Sequence, residues 1–282
     1  MTAEVRHTVV DLRGDLRTGA QRAVVMTMGA LHDGHAELVR QARRMVGDTG
    51  TVVVTVFVNP TQFSAGEDFD AYPRTLDDDV VVASEAGADV VFAPNAVEVY
   101  GLTGGFEPTS VTIDPGPLGD VLEGASRPGH FRGVLTVVCK LMGMTYPDVA
   151  LFGEKDYQQL TLIRRMVADL SMPVEVVGVP TVREADGLAR SSRNRYLSPE
   201  ERRVAAVIPQ ALAAAAQQSD PQEAVETGLR ILSREPGIDV DYLVVTDLDL
   251  GPAPRIGDAR VLVAARVGTT RLIDNQPMRV GS

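Results

Sequence analysis

The apolar run Ala23 to Met28 and the amphipathic run Ala36 to Val46 enclose a short stretch containing glycine, so the chain reads locally as strand, turn and helix. Thr51 to Val58 is β-branched nearly throughout, which predicts a strand buried on both faces, as parallel sheets require. Helical spacing then predicts a helix over Leu76 to Glu85, and Ala88 to Ala93 a short buried strand. Pro94 to Pro117 is rich in loop residues, with a β segment expected around Val111 to Ile113, and Leu118 to Glu123 predicts a brief helical piece. Arg127 to Gly133 reads as a turn opening an apolar helix over Val134 to Met144. A strand over Pro147 to Phe152, an amphipathic helix over Leu160 to Leu170 and a strand over Val174 to Val179 complete the series. Strands alternating with helices imply a mostly parallel sheet covered on both sides.

The pattern changes near Pro180 to Val182. A helix start at Ser198-Pro199-Glu200-Glu201, with Ser as cap and Glu three residues later, opens a helix over Arg202 to Gln217. A second helix over Pro221 to Arg234 follows, then strands near Val240 to Val245, Arg260 to Arg266 and Thr270 to Ile273. The expectation is an α/β domain over residues 1–180 and a smaller α+β domain over residues 181–282.

Composition narrows the classes of function. The chain has 282 residues, of which 44% are hydrophobic and 23% charged, a mix that suits a packed globular protein. A formal net charge of −11 argues against a surface that tracks nucleic acid, so an anionic ligand needs a local pocket. No apolar run is long enough to span a bilayer, and Glu4, Arg6, Asp11 and Arg13 leave no signal-peptide core. The single cysteine, Cys139, points to a reducing compartment. A cytoplasmic enzyme with no membrane and no nucleic-acid partner is expected.

Candidate chemistry gathers at the predicted strand ends. Met28-Gly29-Ala30-Leu31-His32-Asp33-Gly34-His35 places two imidazoles at the opening of a helix, beside free N–H groups and the positive end of the helix dipole. Such a corner attracts phosphate; Gly29 permits a tight turn, and Gly34 omits a Cβ where phosphate would approach the backbone. It is neither a Walker loop nor a dinucleotide fingerprint. Zinc is a competitor, although no Cys neighbours the pair and His7 and His130 lack metal-ligand spacing.

Asn59-Pro60-Thr61-Gln62-Phe63 puts amides at the end of a second strand, facing the same crevice unless it is an ordinary Asn-Pro turn. Asp77, Asp78 and Asp79 complement a helix dipole or help to hold the Mg2+ of a nucleoside triphosphate. Gly153-Glu154-Lys155-Asp156 offers a lysine for phosphate and an acid for ribose hydroxyls, or a solvated charge pair. Arg190-Ser191-Ser192-Arg193 is a basic, hydroxyl-rich cluster that could clamp pyrophosphate. His130 reads as a hydrogen-bonder at a helix entry, with no catalytic partner in view.

Together, Met28 to His35, Phe57-Val-Asn-Pro-Thr-Gln-Phe63, Phe152-Gly-Glu-Lys-Asp-Tyr-Gln-Gln-Leu160 and Ser191-Ser-Arg-Asn-Arg-Tyr196 resemble the pantothenate synthetase family, the pantoate:β-alanine ligases. Asp70-Ala-Tyr-Pro-Arg74, Arg127 to Val138 and Val263 to Asn275 extend the similarity along almost the whole chain. The resemblance implies a Rossmann-like domain of the nucleotidyltransferase and class I synthetase type with a C-terminal lid domain, working as a homodimer. It implies MgATP, pantoate and β-alanine as ligands, with adenylation of pantoate followed by attack of the amine and release of AMP.

The resemblance further implies that Met28 to His35 bind nucleotide, His32 and His35 meet the phosphates, and His35 is the proton donor. It places Gly153, Glu154, Lys155 and Asp156 on ribose and phosphate, with Lys155 on the phosphates, and Val182 and Arg190 to Arg193 at the nucleotide. Gln62 would serve both pantoate and β-alanine, Gln159 pantoate, with Asn59 a neighbour in that pocket, and Asp78 and Asp79 would attend Mg2+. The chain departs from the family at Met26, where proline is usual, at Thr61 and Arg190, where methionine is usual, and at Val82, where a glutamine can assist the metal. A nucleotidyltransferase acting on a phosphorylated acceptor, and a nucleotide sensor without turnover, are the competing readings.

Overall fold

A computed structural model describes residues 2–15, 19–63, 69–101 and 111–281. The chain divides into two compact units, Met1–Glu154 with Leu162–Pro180, and Lys155–Thr161 with Thr181–Ser282. The first contains β1 (Glu4–Arg6), α1 (Val9–Asp15), β2 (Arg22–Thr27), α2 (Asp33–Val46), β3 (Thr51–Val56), α3 (Leu76–Ala86), β4 (Val90–Phe92) and α4 (Ala96–Tyr100). It continues through α5 (Glu123–Ser126), α6 (His130–Thr145), β5 (Val149–Gly153), α7 (Tyr157–Asp169), whose first residues group with the second unit, and β6 (Glu175–Val179).

The six strands are parallel in the order β1-β4-β3-β2-β5-β6. From β2 the chain winds one way to β3 and β4, then the other way to β5 and β6. The carboxyl ends of β2 and β5 therefore flank the point where winding reverses, where open α/β sheets form their ligand crevice.

Valine-rich strands with no polar face explain why helices cover this sheet. Ala23, Val25, Val52 and Val54 pack with Leu38, Val39 and Ala42 of α2 and Ala83 of α3. Val24 and Val53, which alternate with them, and Ala150 of β5 are equally buried.

The structure corrects several expected elements. Val111 to Ile113 is not a strand: the Ile113 N–H donates to Thr136 Oγ1 at 3.0 Å, a side chain in place of a ladder partner. The loop expected over Pro94 to Pro117 contains α4, capped by Asn95, whose Oδ1 accepts from the Glu98 N–H at 2.8 Å; residues 102–110 of that stretch lie outside the described residues. The piece expected over Leu118 to Glu123 is a 3-10 turn, Pro117–Asp120, followed by α5. The apolar helix begins four residues early, at His130.

The second unit carries a 3-10 turn at Ser192–Tyr196, α8 (Pro199–Ala205), α9 (Val207–Ala216), α10 (Pro221–Leu232), β7 (Ile238–Thr246), β8 (Gly257–Val267) and β9 (Thr270–Val280). The strands form an antiparallel sheet in the order β7-β8-β9, and Val261, Val263, Ala265 and Val267 of β8 pack with Ile208, Leu212 and Leu232 of the helices. The capping box at Ser198 forms, with the Glu201 N–H donating to Ser198 Oγ at 3.2 Å and the Ser198 N–H to Glu201 Oε2 at 2.8 Å.

The single helix expected over Arg202 to Gln217 is instead α8 and α9, broken at Ala206. The break places Pro209 in the first turn of α9, where its missing N–H costs nothing. The last strand runs on well past Ile273. Its Pro277 is tolerated because β9 lies at a sheet edge, and its buried Asp274 and Asn275 are held by Arg183 and Arg260.

Candidate functional site

The loop from β2 to α2 is built as a rigid corner. His32 caps α2: its Nδ1 accepts from the Gly34 N–H at 3.2 Å, while its own N–H donates to His35 Nδ1 at 3.3 Å. Because a backbone N–H can only donate, both Nδ1 atoms are unprotonated and both neutral rings carry their proton on Nε2. The rings stack with centroids 4.1 Å apart at the positive end of the helix, each with its proton on Nε2. Gly34 also has a local use in this arrangement. A Cβ there would lie 3.0 Å from Cε1 of His32, so the glycine makes room for the imidazole that caps it.

Asp79 fixes the start of the same loop. It is 1% exposed, and its carboxylate accepts from the Leu31 N–H at 2.7 Å, the Ala30 N–H at 3.2 Å and the Thr75 hydroxyl at 3.3 Å. Burial pushes its pKa above the ordinary value, against the pull of those donors. Gly29 has φ +86°, and a Cβ on it would lie 2.9 Å from Asp79 Oδ2, so the close approach of loop and carboxylate requires glycine there. Asp78 is exposed. Among the described residues no group of three or more His, Cys, Asp or Glu is placed to hold a metal ion.

The loop after β3 presents Gln62. Asn59 caps the 3-10 turn Pro60–Gln62 and is 1% exposed, its amide engaged at both ends. Its Nδ2 donates to Gln62 Oε1 at 3.0 Å and to the Gly133 carbonyl at 3.3 Å, and Gln62 Nε2 lies 3.1 Å from Met28 Sδ. Gly133 lets α6 close on this turn: a Cβ there would meet the Thr61 carbonyl at 2.3 Å. His130 is the hydrogen-bonder expected at this helix entry. Its Nδ1 donates to the Gln62 carbonyl at 2.9 Å, and its Nε2 accepts from Arg127 Nη1 at 2.9 Å, which holds it as a neutral positioning ring.

β5 ends at Gly153 and continues through Glu154 into Lys155, the first residue grouped with the second unit. There the Lys155 carbonyl accepts from Asn275 Nδ2 at 2.9 Å, and Lys155 Nζ lies 3.7 Å from Asp156 Oδ1. The Arg260 guanidinium sits 3.9 Å from the centre of the Tyr157 ring. Gln158 is buried and Gln159 half-buried.

Val182 accepts from the Arg190 N–H at 2.9 Å, and Arg183 bridges Ala189, closing a short hairpin. Ser191 caps the next turn by accepting from the Arg193 N–H at 3.3 Å, placing Ser192 and Arg193 in its first residues. Arg190 Nη1 lies 3.4 Å from Glu184 Oε2, which also receives Arg202 at 2.6 Å. Burial pushes the Glu184 carboxyl up, but hydrogen bonds from Asn194 and Arg202 outweigh it and leave its pKa below the ordinary range.

The structure thus ties Met28 to His35, Asn59, Gln62 and Asp79 to one another within the first unit, and groups Lys155, Asp156, Gln159, Val182 and Arg190 to Arg193 with the second. Sequence reasoning missed Tyr100, whose hydroxyl donates to Asn59 Oδ1, and Asn275 and Arg260 as supports, because each acts across a long sequence separation.

The chain matches the Pantoate-beta-alanine ligase family profile over residues 1–277. It is 57% identical over 273 residues to a pantothenate synthetase of a Nocardioides species, covering 94% of this chain and 80% of that protein. It is 53% identical over 270 residues to that of Mycolicibacterium smegmatis, covering 95% and 84%. The crystal structure of pantothenate synthetase from Thermus thermophilus superposes with a TM-score of 0.89 at 47% identity, over 97% of this chain and 98% of that one. A pantoate-beta-alanine ligase from Francisella tularensis, complexed with beta-gamma ATP and beta-alanine, matches with a TM-score of 0.78 at 31% identity over 97% of each chain.

Proposed function

The chain belongs to the pantoate–β-alanine ligase family, and from that premise we propose how its own residues divide the reaction. It is an ATP-dependent ligase that condenses pantoate with β-alanine to pantothenate. In the first step a pantoate carboxylate oxygen attacks the α-phosphorus of ATP and the bond to the bridging oxygen breaks, releasing pyrophosphate. In the second the β-alanine amine attacks the acyl carbon, the acyl–phosphate oxygen bond breaks, the amine loses a proton and AMP leaves.

The observation that carries this reading is the pair of fixed imidazole tautomers. Two Nε2–H donors at a helix N-terminus, next to the switch point of a parallel sheet, suit charge that builds on a triphosphate during displacement. His35 is the proton donor and His32 its partner on the phosphates, with the backbone from Met28 to Gly34 as their frame. Gln62 holds the pantoate carboxylate and later β-alanine, with Gln159 on pantoate. Lys155 adds a point charge on the phosphates, Gly153, Glu154 and Asp156 flank ribose and phosphate, and Val182 with Arg190, Ser191, Ser192 and Arg193 holds the nucleotide.

Mg2+ would be held by Asp78 together with the one lone pair of Asp79, on Oδ2, that the loop donors leave over. When bound it offsets the charge of the departing pyrophosphate. The working form is a cytoplasmic homodimer, supported by the family resemblance and, for the compartment, by a lone cysteine that can form no disulfide within the chain. None of the described helices is long and apolar enough to cross a membrane.

The test is AMP release from purified protein given ATP, pantoate and β-alanine together or singly. Sustained AMP formation that needs both the acid and the amine is expected. Nucleotide transfer that ignores both would support a nucleotidyltransferase instead.

A further inference from the structure

The Gln62 carboxamide can face a substrate with its N–H groups or with its oxygen, and the surrounding network decides which. Asn59 Oδ1 accepts from the Thr61 N–H at 3.3 Å, and Asn59 Nδ2 donates to the Gly133 carbonyl at 3.3 Å. A backbone N–H cannot accept and a carbonyl cannot donate, so these two contacts fix which end of the Asn59 amide is oxygen. The Tyr100 hydroxyl reinforces the choice by donating to Asn59 Oδ1 at 2.6 Å, and the Thr61 hydroxyl, 3.0 Å from Asn59 Oδ1 and 3.2 Å from the Tyr100 oxygen, has one proton to give to either. The remaining Asn59 N–H meets Gln62 at 3.0 Å and requires an acceptor, so Oε1 of Gln62 is turned inward, and Nε2, which gives one N–H to Met28 Sδ at 3.1 Å, keeps its other N–H for a ligand.

We propose that Asn59 and Tyr100 are positioning residues that lock Gln62 with its donor end toward the acid substrate, selecting carboxylate and hydroxyl oxygens. The inference rests on Gln62 being a substrate contact, as proposed above. Tyr100 suits this role because it ends α4, is 9% exposed and packs against Phe57; burial pushes its pKa up, so it stays a donor throughout the neutral range. Thr61 supplies a hydroxyl where methionine is usual in the family, and its one proton goes to Asn59 or to Tyr100, both members of the lock.

A KM comparison in two backgrounds tests it. Tyr100→Phe removes one of the donors and is expected to raise the KM for pantoate about fivefold, with the KM for ATP within about twofold. Asn59→Asp keeps the shape and the acceptor but removes the donor that Gln62 Oε1 needs. Gln62 then turns its oxygen outward, and the pantoate KM is expected to rise at least about tenfold in protein that stays folded, with a lowered melting temperature because the new buried carboxylate also faces the Gly133 carbonyl.

In a Gln62→Ala background, whose own pantoate KM is raised, Tyr100→Phe is expected to add nothing. The same further increase in that background would show that Tyr100 does not act through Gln62, and would overturn the lock. An unmoved pantoate KM in both single variants would overturn it as well. An unmoved pantoate KM in Gln62→Ala itself would overturn the substrate role of Gln62 and the lock with it, whereas loss in Gln62→Ala alone would remove only the lock.

Discussion

A histidine Nδ1 can donate or accept, and here backbone N–H groups make the choice for both His32 and His35. The same atoms therefore serve the fold and the chemistry. Replacing His35 by Ala is expected to lower the rate of pyrophosphate release by about 3 to 4 kcal/mol in activation free energy, with a smaller loss of stability from the broken cap. Gln at this position restores an acceptor for the His32 N–H, so His35→Gln should recover unfolding stability more fully than rate; equal recovery of both in urea melts and single-turnover assays would assign His35 to capping alone. Asp79→Asn keeps the shape but presents an N–H2 group to one of two loop N–H donors, a loss of about 1–3 kcal/mol by urea unfolding. Arg190 is already paired with Glu184, so the gain in phosphate affinity that a cation brings is reduced by that tether. Arg190→Met should raise the KM for ATP only about threefold, and an unchanged KM would remove Arg190 from the nucleotide site.

At the scale of elements, what periodicity could read was what burial imposes directly. The β-branched runs became β2, β3 and β5 with their neighbours because strands buried on both faces admit little else, and the amphipathic run after His35 became α2. The elements that escaped are those fixed by partners distant in sequence. β1 is three residues long and is a strand because it pairs with β4, while Ile113 looks like strand but bonds to Thr136. The family resemblance is what singles out motif residues such as His32, Lys155 and Gln62. Tyr100 was not, since it reaches Asn59 from 41 residues away and sits in no motif. Gly133 is where α6 meets the turn carrying Gln62, so Gly133→Ala must displace that turn. About 1–3 kcal/mol of stability should be lost with a rise in the pantoate KM, read by thermal melting and steady-state kinetics.

For the molecule as a whole, two carboxylates give opposite responses to acid. Glu184 has a lowered pKa when folded, so its stabilisation is complete above the ordinary carboxylate range and is lost as pH falls through its own lower value. Asp79 has a raised pKa, so stability declines as pH climbs from the ordinary range through its own higher value. Melting temperature against pH should therefore flatten on the acid side in Glu184→Gln, while Asp79→Asn removes the opposing slope. A Glu184→Gln profile that still falls as steeply in acid would place the sensitivity elsewhere.

The helix α7 begins among residues that group with the second unit and ends among residues that group with the first. A recombinant fragment ending at Pro180 would keep Lys155 yet lose Asn275, which holds the Lys155 carbonyl, and would strip Tyr157 of both Arg260 and the Leu248 carbonyl that its hydroxyl reaches. The two halves are therefore not exchangeable cassettes. A chimera joined at residue 180 inherits its lysine from one parent and that lysine's scaffolding from the other, so parents that differ at Asn275 or Arg260 should yield hybrids that fold but adenylate poorly.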